Sequence, residues 1–494
     1  MCLNLYTEHI HKMSGGQQSG DVSIMKALNL FQRPNIQDAV EREYTVEYRP
    51  SEQFIDERSP VIFNIPKQSR DFTDLRSCSL KMKLRVKRRN DTDLQFGEEV
   101  SLINMCHQTA WSQMDVTING VPVSSNTRLY PYKAFFKALT RNAGVSESSA
   151  LKSMGWFSPF TGNSRAHAKD EAWAESKRLV RNSRLLELEG PLMEDIFESE
   201  RYLLNGTEMQ IKLHRCLSPF MLNLLYTTSS SIASDANIDA LKVKMEADIK
   251  AVLEDNDNTI LIMAANKSTS DYNNAVGAKQ GYKVVLEDIV LKMAYVRVYP
   301  HVITAIQESL QQNPALYPLT RTEMKSVAIP DGQQQVYFDT VFSGLRPSKI
   351  VLGFVSSEAV NASFATDALN FESHNVSDIS IMIDGTVIQP KKLIYDDRGD
   401  GQEYLSAFMD YMTMVKKSGY EVPYATPEEF QKHPIFTFAL EPIEHSDIQN
   451  QAMKGPVSVI IQFARQLDRG VNLLMYAEMP GLVQIDAARN IAIS

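Results

Sequence analysis

Cysteines and long apolar runs are both scarce in this chain of 494 residues. Its four cysteines, Cys2, Cys78, Cys106 and Cys216, show no paired spacing and no neighbouring histidine cluster. This pattern argues against a disulfide framework or a zinc motif, and it predicts free thiols in a protein made in a reducing compartment, the nucleus or the cytoplasm. No stretch approaches the ~18 apolar residues that span a bilayer, and residues 1–20 lack the pattern of a secretory signal.

Motifs that carry enzyme chemistry are also missing from the sequence. It has no phosphate-binding glycine loop, no dinucleotide-binding fingerprint, and neither an HExxH nor a GxSxG motif. Nine histidines are scattered along the chain, and a net charge of −9 disfavours a protein that wraps nucleic acid by its phosphates. We therefore predict no catalytic residue, no metal site, no cofactor and no sequence-specific binding of nucleic acid.

Length and periodicity instead indicate two β-domains. A chain of this length exceeds what one hydrophobic core usually supports. Apolar residues from Leu80 to Val86 alternate with basic residues from Lys81 to Lys87, as in a strand with one buried and one wet face. Many short strands, long loops and repeated turn signals favour sandwich or jelly-roll domains.

The same order of signals occurs twice along the chain. In each half, an apolar segment ends in Ile-Pro and is followed by an alternating run that a turn pair closes. The two intervals from isoleucine to turn are 54 and 55 residues (119 − 65 and 384 − 329). Asn-Gly or Asp-Gly between alternating runs predicts a hairpin, because both turn positions need positive φ. The pairs are Ile65-Pro66, Asn119-Gly120, Ile329-Pro330 and Asp384-Gly385.

Helices are predicted beside the strands. One follows each hairpin, at Tyr132–Leu139 after Pro131 and at about Glu403–Lys417. A third, within 300–314, has one apolar face and joins the halves. Between Ile238 and Val252 the apolar residues fit both a strand and a helix, and both interpretations remain open.

These signals divide the chain into four parts. The first domain carries two long loop excursions, and the arm before it is either a short helix packed under that domain or a tail that docks on a neighbour or an inner partner. The predicted parts are an N-terminal arm (1–45), a first β-domain (46–299) with excursions near 144–185 and 216–281, a connecting helix (300–314) and a second β-domain (315–494).

Five aromatic residues lie in or beside the first excursion. They either anchor its base to the domain or fill an interface between subunits, where aromatic side chains are enriched. They are Trp111, Trp156, Phe157, Phe160 and Trp173.

A dense acidic loop precedes the second predicted hairpin helix. A solvated loop accounts for it, since acidic residues suit the positive end of a helix, and Arg398 stands where a calcium loop of the EF-hand type has Asp or Asn. The loop also contains Arg398, Gly399 and Asp400. An exposed loop of this sequence can bind cell-surface integrins, so these three residues are a candidate receptor site.

Many short phrases between about 46 and 490 resemble, in the right order, the major capsid proteins of Polinton (Maverick) elements and adintoviruses. No single phrase is specific to this family, but so many phrases in the same order are specific to it. Residues 1–45 and 216–281 depart from the family pattern because they are longer. In the first half the phrases are Tyr48–Pro50, Phe63–Pro66, Asp71–Leu75, Gln113–Gly120, Tyr130–Ala134, Gly190–Leu192, Asp195–Phe197 and Leu203–Gly206. In the second half they are Ala315–Pro318, Arg321–Glu323, Asn370–Phe371 and Val471–Glu478.

The resemblance implies an all-β-dominated fold of two tandem eight-stranded jelly rolls, with short flanking helices and long loops. This is the double jelly roll of hexon-like capsid proteins, akin to those of virophages and adenovirus. It further implies a homotrimer whose six rolls imitate six subunits, and trimers that tile an icosahedral shell. The implied partners are further copies of the chain, neighbouring capsomers, and penton and minor capsid proteins, and the implied location is the virion.

Two other classes of function are alternatives to a capsid. A jelly-roll module that binds carbohydrate or a receptor needs a localised aromatic or acidic pocket, which the sequence does not display. A jelly-roll enzyme of the cupin type needs a His/His/Glu/His metal set, against which the scattered histidines argue.

Overall fold

A computed structural model describes most of the chain from residue 37 onward. No helix in these stretches is both long enough and apolar enough to cross a bilayer. The described residues are 37–52, 57–125, 127–141, 150–157, 171–224, 235–254, 259–364, 366–395, 401–417, 426–440 and 454–493.

Eight strands of the first half form two four-stranded sheets; strands are numbered along the chain. In spatial order, the first sheet contains β1 (Val40–Tyr48), β10 (Tyr282–Val298), β3 (Asp71–Arg88) and β7 (Leu186–Pro191). The second contains β2 (Val61–Ile65), β8 (Met209–Arg215), β5 (Trp111–Ile118) and β6 (Val121–Pro122). A separate ribbon pairs β4 (Val100–Leu102) with β9 (Leu222–Leu224).

The second half repeats this arrangement. Its first sheet contains β11 (Ala315–Ile329), β20 (Val471–Ile485), β13 (Lys349–Ser356) and β18 (Phe436–Ala439), with β21 (Ile491–Ile493) added beside β20. Its second contains β12 (Gln335–Phe342), β19 (Val457–Phe463), β14 (Val376–Ile383) and β15 (Thr386–Lys392). A ribbon pairs β16 (Ile394–Tyr395) with β17 (Gly401–Glu403).

Both halves share one strand topology. When the eight sheet strands of a half are counted along the chain, one sheet has the order first, eighth, third, sixth and the other second, seventh, fourth, fifth. The pairings with a described register are antiparallel. Eight strands wound in this way form a jelly roll, so the chain is a double jelly roll and the predicted fold class is confirmed.

Alternating side chains explain why these sheets form. In the second roll, Leu352, Ile381, Val459 and Leu473 come from four different strands of the two sheets and are fully buried in one core. In the first roll, the apolar side chains of β3 are buried, as predicted from the alternation between Leu80 and Val86. The basic side chains between them form ion pairs on the wet face, as Lys81 does with Glu187; the chain thus separates its two faces by a period of two.

Of the two repeated sequence signals, the turn is equivalent in the two halves and the Ile-Pro pair is not. Asn119-Gly120 and Asp384-Gly385 both join the fourth strand of a roll to the fifth. Their φ angles are 49° and 79° in the first turn and 50° and 78° in the second, as a two-residue hairpin requires. Ile65, however, ends the second strand of its roll, whereas Ile329 ends the first strand of its own. The matching intervals therefore join non-equivalent strands, and their equality is a coincidence.

Helices occupy the predicted places beside the sheets. Tyr130–Arg141 follows the first hairpin and Leu405–Lys417 the second. Pro300–Gln312 lies between β10 and β11 and has a proline at its start, where the missing N–H is not needed.

The second excursion is more regular than the sequence suggested, and its helices are not short. Helices Asp235–Glu254 and Thr259–Gln280, of 20 and 22 residues, pack against each other between β9 and β10. Four residues join them, so they run antiparallel, and we call them the helical hairpin. The segment Ile238–Val252 is therefore helical: its stripe of Leu241, Met245 and Val252 is half-buried, as are Asp248 and Ala251, while the other residues between 241 and 252 are exposed.

The segment predicted as the N-terminal arm, 1–45, overlaps the first strand. Strand β1 begins at Val40, so residues 40–45 belong to the first sheet, and residues 1–36 lie outside the described part of the chain. The remaining helices are short: Cys106–Thr109, Lys152–Met154, Glu171–Val180, Arg181–Ser183, Asp195–Glu198, Ser218–Met221, Ser357–Val360 and Pro427–Lys432.

The hairpin turns give the first testable prediction. Gly385→Ala lowers the free energy of unfolding by about 1–2 kcal/mol, because an L side chain is strained at positive φ. Gly470→Ala is the matched control, since a Cβ there meets Ser357 Oγ at 3.4 Å, an ordinary contact. Urea unfolding of the two variants measures the difference, and equal effects would contradict the turn assignment.

Candidate functional site

Two lysines are buried between the jelly rolls. Lys133 and Lys137 lie four residues apart on the same face of helix Tyr130–Arg141, which we call the lysine helix. They are 1% and 2% exposed. A buried ammonium group costs several kcal/mol in lost hydration, so each needs anionic partners within hydrogen-bond reach.

Three carboxylates from the segment after β7 supply that charge. Lys133 Nζ lies 2.8 Å from Glu194 Oε1 and 3.1 Å from Asp195 Oδ1. Lys137 Nζ lies 2.7 Å from Asp195 Oδ1 and 2.8 Å from Glu198 Oε1. Asp195 therefore contacts both lysines and stands at the centre of the group.

Asp195 also binds the second roll. The backbone N–H of Thr322, in β11, donates to Asp195 Oδ2 at 2.8 Å, and the Thr322 hydroxyl donates to Oδ1 at 2.7 Å. One carboxylate of the first roll is thus held by a strand of the second. We call this set the junction cluster; it consists of Lys133, Lys137, Glu194, Asp195, Glu198 and Thr322.

The carboxylates of the junction cluster differ in their affinity for protons. Burial opposes ionisation of Asp195, but Lys133, Lys137 and the hydrogen bonds from Lys137 and Thr322 outweigh it and hold the pKa of Asp195 well below its ordinary value. Burial raises the pKa of Glu194 above its ordinary value, although Lys133 opposes this. Asp195 is therefore the carboxylate that stays ionised and keeps the cluster together.

Aromatic rings fill the space beside the cluster. Phe136, between the two lysines, stacks on Phe371 of the second roll with ring centroids 5.1 Å apart, and lies 6.0 Å from Tyr476 of β20. Phe135 is 6.0 Å from the same Phe371. The lysine helix therefore packs an apolar edge against the second roll, beside the edge that carries the two lysines. Each aromatic pair adds about 0.5–1.5 kcal/mol of stability beyond that from its buried area.

Hydrogen bonds extend the contact between the rolls. The Tyr317 hydroxyl accepts from the backbone N–H of Leu204 at 3.1 Å and donates to the carbonyl of Tyr202 at 3.1 Å. Arg489 Nε donates to the carbonyl of Asn205 at 2.7 Å. Asn119, in the first hairpin turn, donates through Nδ2 to the carbonyl of Arg489 at 2.8 Å. Polar contacts thus join the two rolls outside the junction cluster as well.

Among the described residues, no group of three or more histidine, cysteine, aspartate or glutamate side chains is poised to hold a metal ion. Cys78, Cys106 and Cys216 are buried free thiols, and burial raises the pKa of Cys106 to about 12. His107 is fully buried and hydrogen-bonds the carbonyl of Leu80; burial lowers its pKa to about 4. These groups are inert parts of the core, and the chemistry that the site offers is rigid attachment of one roll to the other.

The aromatic residues of the first excursion belong to the core of the chain. Trp111, Trp156 and Phe157 are at most 4% exposed, and Trp156 packs on Phe135 with ring centroids 5.6 Å apart. They anchor the base of the excursion, so the interface interpretation is wrong for these three. Phe160 and the side chain of Trp173 lie outside the described residues.

The candidate receptor residues Arg398, Gly399 and Asp400 also lie outside the described part of the chain, and their role stays a prediction. Reasoning from the sequence did not identify the junction cluster. A signal for it was present, because Lys133 and Lys137 interrupt an otherwise apolar stretch, Tyr130–Leu139, at helical spacing. Their carboxylate partners are more than 50 residues away, and no periodicity links the two segments.

Comparison with solved structures shows that this fold occurs in viral major capsid proteins. A chain of the cryo-EM structure of the Sputnik virophage matches with a TM-score of 0.57 at 11% identity, over 97% of this chain and 93% of that one. The Faustovirus major capsid protein matches with 0.51 at 9% identity, over 98% of each chain. The mavirus major capsid protein matches with 0.50 at 10% identity, over 97% of this chain and 96% of its own.

Comparison with known sequences finds similarity over a smaller part of the chain. No family model matches the chain. An uncharacterized protein of Caenorhabditis elegans is 25% identical over 180 residues, which are 35% of this chain and 42% of that protein.

The hydrogen bond from the Thr322 hydroxyl to Asp195 links the two rolls, and its contribution to the free energy of unfolding is measurable. Thr322→Val removes a hydroxyl that donates to a buried carboxylate, so the free energy of unfolding falls by about 1.5–3 kcal/mol. Thr320→Val, at a half-buried position of the same strand, changes it by less than about 0.5 kcal/mol. Urea unfolding checks both, and equal stability of the two variants would contradict the role of Thr322.

The depressed pKa of Asp195 predicts a dependence on pH. Its stabilisation is present above the ordinary aspartate pKa of about 4 and is lost as the pH falls toward its folded pKa. Asp195→Asn is therefore less stable than the original chain by about 3 kcal/mol or more at neutral pH. That difference narrows between about pH 5 and about pH 3 in urea unfolding, because Asp195 takes up a proton in the unfolded chain while it stays ionised in the folded one, and asparagine does not titrate. A gap that is constant across this range would contradict the assignment.

Proposed function

We propose that the chain is the major capsid protein of a Polinton- or adintovirus-type virus or element, and that it acts by assembly rather than by catalysis. The observation that carries the proposal is the junction cluster, which binds two jelly rolls of one topology into a single block. Three such blocks around a threefold axis present six similar domains. That outline approximates a hexagon, the shape that tiles most of an icosahedral shell.

Rigidity at the junction matters for this function. Lattice contacts between neighbouring capsomers repeat accurately only if both rolls keep one relative orientation. The cluster favours one arrangement, because a shift between the rolls withdraws the two hydrogen bonds that Thr322 donates to the buried Asp195 carboxylate. The junction cluster therefore suits a building unit that many copies must share.

Two further observations support the proposal. The fold likeness covers nearly the whole chain and includes the major capsid proteins of mavirus and Faustovirus. Phrases that resemble the Polinton family include residues of the junction, among them Lys133, Asp195 and Thr322.

The proposal sets the partners and the location of the protein. The main partner is the chain itself, first within the trimer and then between trimers, and penton and minor capsid proteins complete the shell. The assembled protein resides in the virion. Genome contact, where it occurs, does not depend on base sequence.

The oligomeric state tests the proposal. Light scattering of the purified protein gives a mass of about 167 kDa, three times the 55.7 kDa of the chain. Electron microscopy under assembly conditions then shows shells or flat arrays of hexagonal units. A protein that stays monomeric under the same conditions would contradict the proposal.

A further inference from the structure

The helical hairpin is held firmly at its base. Asn274 donates to the carbonyl of Gly97 at 2.9 Å and accepts from the backbone N–H of Glu99 at 2.6 Å. Ser270 donates to the same carbonyl at 2.7 Å, and Asn273 donates to the carbonyl of Phe96 at 2.9 Å. The second helix is thus fixed to a loop of the first roll, and the hairpin is displayed in a set direction.

Away from this base, the hairpin exposes apolar side chains. Leu253 is 80% exposed and Val243 65% exposed, both on the first helix. Between them, at spacings of three, four and three residues, stand the exposed Glu246 and Lys250. Such spacing places all four on one stripe of the helix, as in the seam of a coiled coil. We call Val243, Glu246, Lys250 and Leu253 the outer stripe.

The charge of the hairpin argues against a membrane as the occupant of this stripe. Residues 235–280 contain eight acidic and five basic residues, a net charge of −3. A helix that lies on an anionic membrane is basic on its polar face. A protein surface is therefore the better match.

The outer stripe is complementary to itself. When two parallel copies lie side by side, Glu246 of one comes within about one helical turn of Lys250 of the other, so opposite charges pair and the apolar ends meet. The two aliphatic side chains of the stripe offer only on the order of 200 Å² of apolar surface. A stable complex buries about 800 Å² on each partner, so this contact suits a partner that is already held nearby.

We propose that the outer stripe packs against the same stripe in the other two copies of the trimer, so that three helical hairpins form a bundle around the threefold axis. The inference rests on the proposed homotrimer, which supplies the neighbours. The bundle locks the trimer through a contact that the jelly rolls do not make.

Cross-linking tests the contact directly. In a Cys2→Ser background, whose three other cysteines are buried, Leu253→Cys is compared with Lys244→Cys. Nine residues, or two and a half helical turns, place position 244 on the opposite side of the helix from position 253. A short bis-maleimide joins chains of the Leu253→Cys protein into covalent pairs, the largest product that one accessible cysteine per chain allows, and joins the Lys244→Cys protein at least about tenfold less.

A charge swap gives an independent measure. Glu246→Lys raises the concentration at which half of the trimer dissociates by about fivefold or more, the factor that corresponds to one exposed ion pair turned into a repulsion. Adding Lys250→Glu restores the original value to within about twofold, since the pair then re-forms with the charges exchanged.

The outcomes separate this inference from the proposed function. A wild-type protein that is monomeric by light scattering overturns both. A trimer in which positions 253 and 244 cross-link equally, and in which the charge swap has no effect, overturns the bundle alone. If the wild-type protein floats with phosphatidylcholine–phosphatidylserine vesicles and the Leu253→Ser variant does not, the stripe contacts a membrane. That result would also overturn the bundle.

Discussion

The structure depends on the neutralisation of two lysines that the chain buries between its jelly rolls. Lys133 and Lys137 would be severely destabilising in the interior if they stood alone. Asp195 contacts both ammonium groups and also accepts two hydrogen bonds from Thr322 of the second roll. Because one carboxylate serves both rolls, the cluster is complete only when the rolls hold their native orientation.

This constraint turns a repeated fold into a single mechanical unit. Two jelly rolls joined only by a linker would move relative to each other, as domains with small polar interfaces commonly do. Here the apolar edge of the lysine helix and the Tyr317 and Arg489 hydrogen bonds join the rolls in addition to the buried charges. A pair of rolls fixed in this way is the unit from which a threefold assembly can build a hexagonal outline, and the proposed capsid function follows from that geometry.

Local patterns in the sequence were sufficient for the strands and turns. The alternation at Leu80–Val86 predicts a face pattern that the burial of β3 reproduces, and Asn119-Gly120 and Asp384-Gly385 predict turns whose positive φ angles are observed. The Ile-Pro recurrence was misleading, because an apolar residue before proline marks the end of any strand and does not say which one. Ile238–Val252 fitted two periods, and only packing against Thr259–Gln280 selects the helix.

The junction cluster could not be predicted because Lys133, Asp195 and Thr322 are far apart in the chain and meet only after both rolls have folded. The resemblance to a capsid family pointed to the phrases that contain these residues but not to the bonds between them.

Single-particle cryo-electron microscopy of the purified protein tests the central claim most directly, since it shows both the number of chains and the arrangement of their rolls. The account predicts threefold particles with a hexagonal outline, in which every chain contributes two rolls at one fixed relative orientation and Asp195 lies against Thr322. Particles whose two rolls vary in relative orientation, or in which the Asp195–Thr322 contact is open, would contradict it.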